Sequence, residues 1–512
     1  MKIALHCIAA CAAMVASGSA LAQKSQDRLR VAFLEATQTV APYLSGGAET
    51  LFLSNGIFDN VLSYNEETRR YGPLLAKSFK LVDDRTLEFE LRENVRWHDG
   101  QAFDADDVAY MLAWILNPKT KLRRRANWDF IAAVEKLGSH KIRITAKTPT
   151  PNFLETFAYA TPVFPEHILS TLEDKESFGT KPVGTSMYSV SQMDRNVGAV
   201  LVKNASYRHG GDAKPASNIG RVEALPVPDK GTQVAHFIRG DLELLRNAQL
   251  DQAEDLAKDP KHAMTLTQSL SYIYLMFDAA GRSGLKPVQD TRVRRALMMA
   301  INRDEVYRIR AGQHELPWGT PDALCWDFQD GCVYTHKPPA HDPAAAKKLL
   351  AEAGYPDGFD IKITATNTVK DMAEVVVGQL RKIGVRATLD SVSQAAFHAK
   401  QTDGVVNALI TGWSAGGGPD VARTLNFFFD PGSLDYLRDE KLHALSDVGL
   451  TVVDETKRKA AVREVMDRVT DMAYVMPVAP IPVVFLHSSS VRIAPQKSYD
   501  VFGVGLHTLN WK

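Results

Sequence analysis

The chain has 512 residues, 45% of them apolar and 23% charged, which is too long for one hydrophobic core and ordinary for a soluble globular protein, so two or three domains are expected. Lys and Arg together number 60, as do Asp and Glu, and the formal net charge is zero. With no global field to draw in nucleic acid or an anionic membrane, the polyanion-binding functions are set aside.

At the N-terminus, Lys2 precedes an apolar run from Ile3 to Val15, and Ala20-Leu21-Ala22 supplies a small-x-small site. Residues 1–22 are read as a cleaved secretory signal peptide, with the mature chain beginning at Gln23. A retained anchor and a lipoprotein site at Cys11 are the alternatives, and nothing later is long and apolar enough to span a bilayer. Leu29 to Leu34 is a first strand, Glu35 to Gly47 a polar loop, and Thr50 to Asn60 a helix.

From Pro73 to Leu112 the pattern is sharper. Ser78 to Val82 and the alternating stretch around Leu87, Phe89 and Leu91 make a hairpin turned at Asp83-Asp84. His98-Asp99-Gly100 is a second turn, and these neighbours are read as hydrogen bonds closing it, not as a catalytic dyad. Asp104 caps a helix with Asp106 and Asp107 in its first turn, and Asn117-Pro118 ends it. The basic run Lys119 to Asn127 is a solvated face, and Lys141 to Ala146 is another strand.

Further on, an amphipathic helix is placed over Gly231 to Leu245 and a buried strand over Ser271 to Asp278. Asp290 caps a helix whose Arg292, Arg294 and Arg295 have no interleaved aromatics, so they form a solvated or salt-bridged face. Cys7 and Cys11 leave with the signal. Cys325 and Cys332 then pair as a disulfide, worth roughly 2.5 kcal/mol for so short a loop. His336 and His341 follow, but their spacing fits no usual zinc pattern, and no metal or cofactor is assigned. Asp342-Pro343 through Gly354 has the punctuation of a complete helix. A helix over Val369 to Lys382 and strands over Val385 to Val392 and Val405 to Thr411 make an α/β unit. Asp454 caps a long helix to about Met472, and Met476 to Leu486 is an apolar strand with three prolines.

Gly412-Trp413-Ser414-Ala415-Gly416 spells the nucleophile elbow of serine hydrolases, and Asp430 or Asp435 and His487 or His507 follow in hydrolase order. The elbow needs a helix beginning at the serine, whereas Gly416-Gly417-Gly418-Pro419 resists one. No catalytic residue is assigned, and a secreted serine hydrolase using Ser414 is the distant alternative.

Pro73, Leu75-Ala76, Ser78-Phe79, Leu91-Arg92, Val95, Trp97-His98-Asp99-Gly100, Ala105 and Asp107-Val108 keep fixed spacing over 36 residues. With PEHIL, PVGTSMY (182–188), VRRALMMAINR and HDPAAAKKLLAEAGYPDGF, they resemble the extracellular solute-binding proteins of the peptide/nickel class, the receptors of ABC importers. The resemblance implies an α/β, two-lobed periplasmic binding protein-like fold with mixed sheets, hinged at two interlobe crossings and carrying an extra subdomain in lobe I. Lobe I would span 23–270, with the inserted subdomain at about 58–181, lobe II 271–478, and 479–512 would return to lobe I. It implies a periplasmic monomer that hands a small-molecule or peptide ligand to the ABC permease and ATPase subunits of the inner membrane.

By the same resemblance, Gln38, Thr39, Trp128, Trp413, Ser414, Ala415 and Gly416 border the ligand cleft. Peptide-binding members usually place an Asp three positions after the Gly-Trp tryptophan, where this chain has Gly416. Asp420 is then the substitute partner for a peptide ammonium and Arg423 the partner for a carboxylate. A di- or oligopeptide or peptide-like solute is the main reading. The alternative is a non-peptide solute: an opine, a sugar derivative, a cell-wall fragment, or nickel or another metal chelate.

Overall fold

The structure, a computed structural model, describes residues 27–45, 47–122, 125–194, 196–414, 418–493 and 504–512. The signal-peptide reading of residues 1–22 lies outside them. Two long strands organise the rest: β12 (His262–Phe277) and β16 (Val475–Ser488), antiparallel along nearly their whole lengths. In β12, side chains alternate between faces with the period of two that a strand imposes. Ile273, Leu275 and Phe277 enter one apolar core, while Tyr272, Tyr274 and Met276 enter the core on the other face. Earlier in the same strand, Met264 and Leu266 pack into a different core with Phe237, Leu245 and Leu486. The handover falls where the ladder slips register, between Gln268 and Tyr272 opposite Pro482 and Pro480. A proline donates nothing to a ladder, so its presence loosens pairing at this point.

β12 and β16 are the middle of a ten-stranded sheet. On one side lie β15 (Ala408–Trp413), β13 (Asp360–Thr366) and β14 (Arg386–Val392), with β13 parallel to both β14 and β15. Helices such as Lys370–Lys382 and Glu455–Asp471 cover the two faces, making lobe II a three-layer unit. On the other side lie β11 (Leu244–Arg246), β1 (Arg28–Phe33), β10 (Arg221–Pro226), β9 (Gly198–Lys203) and β8 (Tyr188–Asp194). Lobe I adds the hairpin β2 (Leu62–Asn65) and β3 (Arg70–Pro73). A separate antiparallel sheet has β5 (Thr86–Leu91) between β4 (Ala76–Leu81) and β7 (Lys141–Ala146), with β6 (Ile131–Gly138) at its edge. Helix Ala105–Leu116 packs Val108, Met111, Leu112 and Ile115 into the core this sheet shares with Leu29, Phe52 and Phe485. The chain ends with β17 (Val491–Ile493) paired to β18 (Leu509–Trp511), and Trp511 Nε1 donates to Asp27 Oδ1 at 2.8 Å, back in lobe I.

The turn at His98 uses both ring nitrogens. Nδ1 accepts from the Gly184 N–H at 3.1 Å and Nε2 donates to the Ser186 carbonyl at 2.9 Å, docking the turn onto the returning segment 182–186. That segment is fixed by Asp59, which is fully buried and accepts from Lys214 Nζ at 2.8 Å, His209 Nε2 at 2.8 Å and Thr185 Oγ1 at 3.0 Å. Burial would raise the Asp59 carboxyl, but Lys214 and His209 outweigh it and hold the group well below the usual carboxylate range.

Three local readings change. The expected helix over 231–245 is Lys230–Ile238, because Gly240 takes φ 79° and stops it, and Leu244–Arg246 becomes a strand instead. Arg294 is not a surface residue. It is 2% exposed and donates to the Met472, Val288 and Gln289 carbonyls, tying helix Thr291–Met299 to the end of helix Glu455–Asp471. Arg125, from the basic run, donates to the Ile115, Asn117 and Thr120 carbonyls and so closes the C-terminus of helix Ala105–Leu116.

Candidate functional site

The two lobes meet along a band of charge and aromatic side chains. Lobe I contributes the short helix Phe153–Glu155, continued as a wide π turn over Thr156–Ala160, and the β2–β3 hairpin with Arg69 beside its tip. Lobe II contributes the 325–332 loop and the segment that leaves β15. In that loop Cys325 and Cys332 are joined, their Cα atoms 6.0 Å apart. The constraint holds Trp326 against Phe328, ring centres 5.7 Å apart, with Trp318 packed 4.5 Å from Phe328. Arg69 reaches across from lobe I, its guanidinium carbon 5.7 Å from the centre of the Phe328 ring. Tyr64 of β2 packs against the cores of both lobes.

The charges are arranged around one backbone bridge between Asp330 and Asp420, with the Asp330 N–H donating to the Pro419 carbonyl at 3.0 Å and the Val421 N–H to the Asp330 carbonyl at 2.9 Å. Asp420 is buried and takes a two-pronged contact from Arg458, at 2.9 and 2.5 Å. Arg458 is itself anchored through Nε to the Gly449 carbonyl. Glu155, 1% exposed, crosses from lobe I: its Oε2 accepts from the Asp420 N–H at 3.0 Å and its Oε1 from Arg423 Nε. Burial pushes the Glu155 carboxyl upward, opposed by Arg423 and reinforced by Asp420. The Asp330 carboxylate has no hydrogen bond or ion pair among the described residues. Its burial, then the nearby Asp420 and Glu155, push it up to about 6, against Arg458 and Arg69.

The residues expected at the cleft end up in different places. Arg423 and Asp420 come together at the lobe interface, but their partners are Glu155 and Arg458 of the chain itself. Trp413 ends β15 and is 5% exposed, its ring tilted against those of Tyr272 at 5.3 Å and Phe428 at 5.7 Å, and Ser414 follows it, half-buried. Ala415 and Gly416 lie outside the described residues. Trp128 is a core residue, 3% exposed, its Nε1 donating to Thr161 Oγ1 at 3.0 Å and its ring 5.3 Å from Tyr43. Thr39 is used locally: its Oγ1 accepts from the Ala41 N–H and its carbonyl from Thr50 Oγ1, while Gln38 is exposed. Glu155, Asp330 and Arg458 were not found in the sequence. Glu155 has one faint mark, a lone acid in the apolar stretch Phe153 to Ala158.

The hydrolase constellation is not assembled. His487 donates to the Ser488 carbonyl and accepts from Thr265 Oγ1, His507 pairs with Asn55, and Asp435 pairs with His443. Among the described residues, the next helix after Ser414 starts at Ala422. His336 pairs with Asp471 at 2.8 Å, and no cluster of three metal-ligating side chains occurs among the described residues. A cavity of about 180 Å³ opens in lobe I between helix Lys230–Ile238 and the C-terminal end of β11, lined by Lys230, Gln233, Leu245, Asn247 and Gln252 among others.

Residues 70–435 match the family model for bacterial extracellular solute-binding proteins, family 5 (middle region). A glutathione-binding protein, GsiB of Pectobacterium atrosepticum, is 26% identical over 387 residues, covering 74% of this chain and 72% of its own. The fold matches the ABC transporter substrate-binding protein CtaP of Listeria monocytogenes with a TM-score of 0.83 at 20% identity, over 94% of this chain and 99% of that one. It also matches NikA of Brucella suis, in complex with Fe(III)-EDTA, with a TM-score of 0.80 at 22% identity, over 95% and 100% of the two chains.

Proposed function

The chain belongs to the bacterial extracellular solute-binding proteins, family 5, and from that premise we propose that it captures a peptide-like, carboxylate-bearing solute between its lobes in the periplasm and passes it to an ABC permease. The glutathione-binding relative supports a peptide-like cargo. The observation that carries the reading is the interlobe band itself, where Arg423, in the first turn of helix Ala422–Phe429, and Asp330, Arg69 and the Trp326–Phe328 face, from loops, stand at facing edges of two separately cored lobes. Asp420, committed to Arg458, is not the ammonium partner. Asp330, its neighbour across the backbone bridge, takes that part. Trp413, Ser414 and Gln38 are assigned to the rim of the same cleft.

Lobe I is taken as 23–270 and 479–512, and lobe II as 271–478, with closure about the crossings in β12 and β16. A ligand that touches both lobes only when they are shut shifts the population toward the closed form by its differential affinity. Micromolar binding corresponds to about 8 kcal/mol, which has to exceed any cost of closing. Secretion by a cleaved signal at residues 1–22, and a monomeric state, complete the reading; no helix among the described residues is long and apolar enough to cross a membrane. A metal chelate or other polycarboxylate is the second reading, favoured by the guanidinium of Arg423 and by Gly416 in place of the usual acid.

Glutathione and a mixture of free-acid tripeptides test this directly. A receptor melts at higher temperature with them and compacts in small-angle scattering. Neither response, together with fluorophosphonate labelling at Ser414, would turn the assignment to a hydrolase, and nickel retained through dialysis would turn it to a metal carrier.

A further inference from the structure

Glu155 is a buried carboxylate whose two hydrogen-bond donors both belong to the opposite lobe. Opening the lobes returns it to water, and closing them sets it on the Asp420 N–H and on Nε of Arg423. That leaves Arg423 in an unusual condition. Nε is engaged, yet Nη1 and Nη2 donate to nothing among the described residues, and the side chain keeps 20% of its exposure. An arginine gripped at Nε loses most of its rotamer freedom while its outer edge, the two-pronged edge suited to a carboxylate, stays unused.

The seat is built for this grip. A Cβ at Gly418 would stand 2.1 Å from Arg423 Nε and 2.2 Å from Glu155 Oε1, so only glycine leaves room for the pair. Asp420 supplies its N–H from a fixed position because Arg458 clamps its carboxylate. The charges of Glu155, Arg423, Asp420 and Arg458 cancel in two ion pairs. A buried pair of this kind adds little net stability, so its place across the lobes argues for a geometric role.

We infer that Glu155 is a positioning residue: on lobe closure it fixes Arg423 by Nε, so that Nη1 and Nη2 form a carboxylate subsite that exists only in the closed form. The inference rests on cargo entering between the lobes. It makes recognition of a carboxylate conditional on closure, and it makes Glu155, which does not itself touch the cargo, a determinant of specificity.

The test compares the full mature chain with Glu155→Gln, Arg423→Gln and the double variant, using a free-acid tripeptide mixture and the same mixture amidated at the C-terminus. For the wild type, amidation is expected to weaken binding about tenfold or more, the loss of a charge-assisted pair. Glu155→Gln is expected to lower free-acid affinity to a similar degree, leave amide affinity unchanged, and add nothing to Arg423→Gln. Equal binding of acid and amide by the wild type overturns the inference, as does an equal loss of both probes in Glu155→Gln, which would mark a plain closing latch. Losses that add in the double variant overturn it too. Circular dichroism confirms that the variants fold, and Arg423→Gln, at a partly exposed residue, keeps the test alive if Glu155→Gln does not. If neither mixture binds, the peptide-like cargo is what fails. Acetate and succinate then decide the inference on the same proteins: stabilisation of the wild type lost in both variants keeps it, and no stabilisation by either anion ends it.

Discussion

Asp59→Asn is the sharpest perturbation of the framework that carries the cleft. The carboxylate is 0% exposed and takes three donors, of which Lys214 is itself 9% exposed at its side chain and also donates to the Phe58 carbonyl and Ser186 Oγ. The neutral amide leaves an ammonium buried among neutral acceptors, and stripping one partner from a buried pair costs about 3–5 kcal/mol. For an independently melting unit of lobe size, each kcal/mol moves the midpoint by about 2–4 °C, so lobe I should melt about 6–20 °C lower. Differential scanning calorimetry is the assay, and if the lobes melt as separate transitions, the one containing Asp59 should move. Lys214→Met should be similarly damaging, whereas the double variant Asp59→Asn/Lys214→Met should recover part of the loss, because neither charge is then left alone. The sign with pH follows. The folded Asp59 carboxyl lies below its unfolded value, so its contribution is complete above the unfolded value of about 4 and is lost as pH falls further. A single Asp59→Asn variant that melts with the wild type, or a double variant as damaged as the sum of the singles, would refute the claim that these groups act as one buried unit.

Replacing Cys325 and Cys332 by serine opens an eight-residue loop, and the chain-entropy model gives a loss of about 2.5 kcal/mol, read as a lower urea midpoint for lobe II. The same change frees the Trp326–Phe328 face, so affinity for the cargo should fall beyond what the stability loss explains. Asp330, pushed up to about 6 with the lobes in contact, faces Asp420, Glu155, Arg458 and Arg69. Glu155 and the opposing Arg69 both act only when the lobes meet, and the push from Glu155 is the larger, so protonation favours closure: the radius of gyration without cargo should be smaller at pH 5 than at pH 7.5, and Asp330→Asn should remove that difference. Gly184→Ala sets a Cβ 1.9 Å from the Ile57 carbonyl, a backbone atom that cannot rotate away. A loss of about 1–3 kcal/mol is expected by urea denaturation, and native stability would show that segment 182–186 does not dock on the helix Ala48–Ile57.

Much of the fold was legible because local chemistry and tertiary placement agree. Asp104, Asp290, Asp342 and Asp454 each accept a backbone N–H at the start of the helix assigned to them. The alternation at Leu87, Phe89 and Leu91 is the buried face of β5. What escaped depends on partners far away in sequence. Nothing near Arg294 announces that one of its acceptors is the Met472 carbonyl, 178 residues on, and an arginine triplet on a helix looks like surface. The length of β12 was hidden because His262 to Leu266, half-buried in lobe I, lacks the continuous apolar run of the segment after it. At the lobe interface, Asp420 and Arg423 were singled out by their position after a Gly-Trp strand end, but their partners are Arg458 and Glu155, the latter 265 residues away from Asp420. Trp128 illustrates the converse: an aromatic beside a basic run has no local feature that separates a cleft wall from a core filler, and Thr161, 33 residues on, decides it.

Native mass spectrometry of the protein purified without denaturant from a bacterial host tests most directly whether a solute is carried between the lobes. The expected spectrum shows a one-to-one adduct of a few hundred daltons that bears a carboxylate and is shed on unfolding, with the adduct depleted in Arg423→Gln. A bare mature chain in every preparation, or an adduct unaffected when Arg423 is replaced, would contradict capture at this interface.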